Sequence, residues 1–118
     1  MQEPGRYDMT VYQGATFNRV FTWKVGTPAA NVNLTSYTAR MQLRTTPTAS
    51  TSVLELTTSN ARIILGGSAG TVTLTLTPTE TAALAANQYA YDLELVAGNG
   101  EVTRLLEGFV TVDAEVTR

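Results

Sequence analysis

Asn87-Gln88-Tyr89-Ala90-Tyr91-Asp92-Leu93-Glu94-Leu95-Val96-Ala97-Gly98-Asn99-Gly100-Glu101-Val102-Thr103-Arg104-Leu105-Leu106-Glu107-Gly108-Phe109-Val110-Thr111-Val112 reads as two long strands joined by a tight turn. In the first half Tyr89, Tyr91, Leu93 and Leu95 alternate with Ala90, Asp92, Glu94 and Val96, which puts the larger apolar groups on one face. Asn99 and Gly100 tolerate the positive φ that a reversal between right-twisted strands needs. A three-residue loop, Gly98 to Gly100, sets Leu93 opposite Leu105 and Glu94 opposite Arg104. A two-residue loop, Asn99-Gly100, sets Leu95 beside Arg104 and Asp92 beside Glu107. The three-residue loop gives the better cross-strand pairs and is preferred. Leu105-Leu106 breaks the alternation and signals a bulge or burial on both faces.

Working back from this hairpin, Thr77-Pro78-Thr79-Glu80 is a helix start: Thr77 to cap, Pro78 at the first position, Glu80 to close a capping box. The helix is expected to run to Ala86, with Leu84 as its plug into the core and Asn87 at its end. Before it, Thr71 to Thr77 alternates strictly, with Val72, Leu74 and Leu76 inward. Met9 to Tyr12, Thr16 to Val25, Tyr37 to Arg44, Val53 to Thr57 and Arg62 to Leu65 complete the expected strands. In the second of these Phe17, Phe21, Trp23 and Val25 share one parity, interrupted by Arg19; Trp23 is expected in the core. In the third, Tyr37, Ala39, Met41 and Leu43 point in while Arg40 and Arg44 point out. Gly26 to Asn33 and Thr45 to Ser52 read as loops. Gly66 to Gly70 lacks the Lys and the following helix of a phosphate cradle and reads as a flexible hairpin loop.

The fold class is therefore all-β. Strand, short helix, then a strand opening on tyrosine resembles the E–F crossover of an immunoglobulin-like antiparallel β-sandwich, with the one short crossover helix at about 78–86. In that architecture a tyrosine hydroxyl ties the corner to upstream backbone, and Tyr89 is the candidate. The Cys…Trp…Cys hallmark is absent. The expected organisation is an arm over 1–8, a sandwich over 9–113 and a tail over 114–118.

Composition narrows the chemistry. The 118 residues are 43% hydrophobic and 15% charged, with net charge −2, one lysine, and neither cysteine nor histidine. An acidic balance offers no general attraction to nucleic acid or anionic membrane, and no apolar run nears the ~20 residues of a membrane span. Gln2-Glu3-Pro4-Gly5-Arg6 after Met1 lacks the apolar core of a signal peptide. Asn33-Leu34-Thr35 matches a glycosylation sequon, which without export is a chance match. Without cysteine there is no disulfide framework, which suits a reducing cytoplasm. Without histidine the commonest general base and metal ligand is missing. Asp92 and Glu94 lie ~6.6 Å apart on one strand face. An acid–base pair needs a cleft that nothing nearby suggests, so a salt bridge of Glu94 to Arg104 is the simpler reading. No catalytic, cofactor or metal site is expected.

The C-terminal run quoted above looks like a family of small tailed-phage proteins, similar to the N-terminal immunoglobulin-like domain of baseplate upper proteins. So do Tyr7-Asp8, Gln13-Gly14-Ala15-Thr16-Phe17, Asn33 through Met41 and Thr77 through Leu84. The resemblance implies a non-enzymatic virion component, assembled in the bacterial host cytoplasm. It would be a tail, baseplate or fibre-attachment adaptor acting by protein–protein assembly, with other virion proteins and further copies of itself as partners. Capsid decoration is one alternative; a carbohydrate-binding module for host attachment, needing exposed Trp23, Tyr12 and Tyr37, is another. Larger baseplate proteins carry further domains, whereas this sequence stops at Arg118. Residues expected to touch partners are Arg6, Tyr7 and Tyr12, the outward Arg40 and Arg44, and Glu115, Val116 and Arg118 in the tail.

Overall fold

In the computed structural model, which describes residues 5–117, the strands are β1 (Gly5–Arg6), β2 (Met9–Tyr12), β3 (Phe17–Thr22), β4 (Lys24–Val25), β5 (Ala30–Asn31), β6 (Thr38–Arg44), β7 (Leu54–Thr57), β8 (Ile63–Leu65), β9 (Thr71–Leu76), β10 (Gln88–Val96) and β11 (Val102–Asp113). Helix α1 (Pro78–Ala82) joins β9 to β10. The large sheet has the order β1-β11-β10-β6-β7, with β2 also on β11; the small one is β3-β9-β8, and β4-β5 is a separate ribbon. β3, β9 and β8 take the places of strands B, E and D, and β11, β10 and β6 those of G, F and C. This is an immunoglobulin-like sandwich.

Alternation builds the core. Leu43, Leu93, Leu95 and Val110 of the large sheet and Val72, Leu74 and Ile63 of the small one are buried between the sheets. Burial of each such side chain stabilises the fold by about 1.5–3 kcal/mol. The helix start behaves as its residues require: the Glu80 amide donates to Thr77 Oγ1, and the Thr77 amide donates to the Glu80 carboxylate. Leu84 plugs the core and Tyr89 forms the corner, its hydroxyl donating to Ala85 O at 2.7 Å.

The turn is the three-residue one. The Ala97 amide donates to Glu101 O and Gly100 has φ +91°. Glu94 faces Arg104, but a bulge then sets Leu93 opposite Leu106 rather than Leu105, and Asp92 opposite Glu107. The adjacent leucines thus share one inward-facing position instead of dividing between faces.

Four expectations are refined. The Thr16–Val25 strand breaks at Trp23, whose amide donates to Gly70 O and whose carbonyl accepts from the Val32 amide. β4 then turns away to pair with β5 inside the expected loop, leaving Val25 exposed. Gly66–Gly70 does join the hairpin of β8 and β9, and forms a 3-10 turn over Gly67–Ala69. A Cβ on Gly70, at φ +72°, would lie 2.9 Å from Val32 O. The helix is one turn, ending at Ala82 with Ala83 as cap: the Leu84 amide turns back to Thr81 O, and the Leu84 and Ala85 carbonyls accept from the Gln13 and Tyr89 side chains. Finally, the described part of the N-terminal arm pairs within the large sheet. β1 and β2 run parallel to β11 in one register, Arg6 opposite Glu107 and Met9 opposite Val110. Residues 1–4 lie outside the described part.

Candidate partner-binding face

Because β10 and β6 bury their large apolar residues, their intervening residues form the outer face of the large sheet. Across it the register sets three rows. Arg44, Ala90 and Phe109 stand side by side; Gln42, Asp92, Glu107 and Arg6 form the next row; Arg40, Glu94 and Arg104 form the third. Arg40 binds Glu94 at 2.7 Å, while Arg104 lies 3.4 Å from both Asp92 and Glu107. The sequence expectation paired Glu94 with Arg104; the side chain of Arg40, across the other neighbouring strand, takes that carboxylate instead. Gln42 donates to Glu55, and Arg44 donates to Gln42 Oε1 and to Ala49 O, which draws the 45–49 loop against the sheet.

Contrary to expectation, a cleft does lie beside Asp92 and Glu94. It is an open groove of about 440 Å³, floored by Ala90, Tyr91 and Gly108 and walled by Arg44 and Pro47 on one side and Phe109 and Arg6 on the other. It exists because Ala90 carries only a methyl group between Arg44 and Phe109 on the neighbouring strands. Arg6 sits 4.9 Å over the Phe109 ring and 3.5 Å from Asp8.

One rim of the groove is pinned from beneath. The buried Tyr91 hydroxyl donates to Tyr7 O, the Tyr7 amide donates to Glu107 O, and the Phe109 amide donates to Asp8 Oδ1 at 2.9 Å. Burial, helped by the Asp8 carboxylate, pushes the Tyr91 phenol well above its ordinary range, so it remains a donor. Tyr7, expected to reach outward, instead packs its ring edge-on against Phe21 at 5.1 Å. The parity of the expected arm was invisible without its parallel partner.

Desolvation raises the Asp92 carboxyl above its usual range; Arg104 opposes this, while Glu94 and Glu107 add to it. The folded state therefore holds this proton more tightly than the unfolded state. Its favourable contribution is complete below the ordinary carboxylate value and is lost as pH rises through the raised one. Asp92→Asn is expected to gain on wild type by up to about 1 kcal/mol between about pH 3 and pH 7 in urea melts, a small effect because the group is partly solvated. Glu80 has the opposite sign: the Thr77 amide, with Arg62, holds its carboxyl low, so its contribution is lost as pH falls. The comparison of variant with wild type cancels that term.

The remaining expected residues separate. Tyr12, at 59% exposure, projects from the end of β2 and so meets the exposure that a glycan platform needs. Trp23 is 8% exposed and meets Tyr37 edge-on at 6.1 Å, so the three aromatics form no common plane. Arg40 and Arg44 do face outward. Glu115 is held against the β2–β3 turn, its amide donating to Gln13 Oε1, whereas Val116 is 92% exposed. Arg118 lies outside the described residues. Among the described residues no group of three or more acidic side chains could hold a metal ion, and no helix is long and apolar enough to cross a membrane.

No family model matches the chain, and no curated protein matches it in sequence. Among solved structures, extracellular domains 3–5 of OTK from Drosophila align with 96% of this chain at 16% identity and a TM-score of 0.33. The chain spans 33% of that structure's length.

Proposed function

We propose that this chain is a non-enzymatic assembly module that docks other proteins on the outer face of its large sheet. Its setting would be a bacteriophage virion, as a tail, baseplate or fibre-attachment adaptor. The phage setting rests on the sequence resemblance; the docking face rests on the geometry. The carrying observation is the groove and the charge rows around it. Arginines and carboxylates alternate over several adjacent strands, held by mutual hydrogen bonds, so a partner meets an ordered and electrostatically patterned surface. Asp92 and Glu94 each already answer an arginine, which favours recognition over acid–base turnover. Capsid decoration would use the same face and differs only in where the subunit sits in an imaged particle.

The test is mass spectrometry of gradient-purified particles from a host producing the chain. Wild type should co-purify in fixed stoichiometry. Arg40→Glu/Arg104→Glu should lower its incorporation at least about tenfold while leaving the fold intact by circular dichroism, since charges on an interface set specificity. Absence of the wild-type chain from purified particles would reject the reading.

A further inference from the structure

We propose that this face joins two copies of the chain about a two-fold axis, Tyr12 of each copy inserting into the depression over Ala90 of the other. The inference rests on the assembly reading above and names its first partner.

The knob is Tyr12. It is the aromatic side chain, among the described residues, with most of its surface in water. Met9 and Val11 point into the core, so alternation along β2 puts Tyr12 on the outer face with Thr10.

The hole is the groove. Arg44 and Phe109 flank Ala90 on the strands either side of β10, so their backbones stand ~9.6 Å apart. A ring laid over Ala90 meets a guanidinium on one side and a phenyl group on the other, both favourable neighbours for an aromatic. The guanidinium of Arg44 is fixed in advance by Ala49 O and Gln42. Asp92 borders the same groove and can accept from a tyrosine hydroxyl.

Three considerations select a second copy as occupant. Knob and hole lie on one face, four residues apart along the strands and two strands apart across them, a separation of ~16 Å. A two-fold axis in the plane between two such faces, passing midway, seats both knobs at once and closes the assembly. The charges of the face nearly cancel, so face-to-face approach brings no net repulsion, and alternating rows can pair reciprocally. The five-strand face is also large enough: ~24 Å wide and ~23 Å long, it offers a ridged surface near the roughly 800 Å² per partner of a standard interface.

Sedimentation equilibrium of the full chain tests this. Wild type should dimerise with Kd about 10 µM or tighter. Tyr12→Ser should weaken the dimer at least about a hundredfold, because two insertions are lost per dimer. Tyr12→Phe should retain most of it. Since Tyr12 is largely solvated in the single chain, all three should melt alike at concentrations well below the dimer Kd. With p-benzoylphenylalanine at position 12, light should give a covalent dimer with adducts on the strands carrying Arg44, Ala90 and Phe109, and nothing larger. A monomeric wild type, a dimer indifferent to Tyr12→Ser, adducts on the small sheet, or a ladder of higher species would each overturn the proposal. A monomeric chain still present in purified particles would remove the second copy and leave the assembly reading standing.

Discussion

Gly108→Val unfastens the first strand and lowers stability by about 3 kcal/mol, the sum of three hydrogen bonds of about 1 kcal/mol each. A Cβ at Gly108 would lie 2.4 Å from Tyr7 O and 2.7 Å from the Asp8 carboxylate. The first of these is backbone and has no rotamer to retreat into. The strand must lift, and with it go the bonds from Tyr91 to Tyr7 O, from Tyr7 to Glu107 O and from Phe109 to Asp8. Urea melts give the loss, and amide exchange locates it: Tyr7 and Phe109 should lose protection while Leu74 and Leu95 keep theirs. Because Gly108 also floors the groove, the same variant should abolish partner docking. A wild-type midpoint would mean that the strand gives way locally at no cost.

Leu93→Ala should be costlier still, about 3–4 kcal/mol, with a fall in Tm of roughly 4 °C per kcal/mol for a chain of this size. Leu93 is wholly buried in the strand on which the large sheet centres, with Met41 on one side and Leu106 on the other. A cavity there is bounded by strands hydrogen-bonded on both sides, which limits collapse. Leu106, on the bulge and only partly buried, is the control: Leu106→Ala should cost about 1 kcal/mol. Equal losses at the two positions would contradict the bulge and its register.

Whatever depended on neighbours in the chain could be read from the residues alone. Strict alternation in Thr71–Thr77 and Tyr37–Arg44, the Thr77-Pro78-Thr79-Glu80 start, the three-residue turn and the Tyr89 corner are all local chemistry, and the structure has them. What escaped was non-local or negative. Gly5–Arg6 has no alternation of its own; it is a strand only because β11 lies beside it. Trp23 ends β3 because Gly70 and Val32, distant in sequence, take its backbone groups. The groove is made by a side chain that is nearly absent, at Ala90, and an absence has no motif. Glu94 chose Arg40 over the residue directly opposite it on β11, a choice settled by side-chain reach across the sheet.

The parallel pairing of β1 with β11 also constrains the order in which this molecule can be finished. Gly5 lies against Leu106 and Met9 against Val110, so each waits for a partner made about a hundred positions later. During synthesis β2, with Met9 and Val11, has no strand to pair with until β11 has emerged from the ribosome. Closing so long a loop costs about 4 kcal/mol of chain entropy by the (3/2)RT ln n rule, and docking of β1 and β2 must repay it. A ribosome-bound chain halted before residue 106 would keep those side chains available to chaperones, and release from them would coincide with arrival of the last strand.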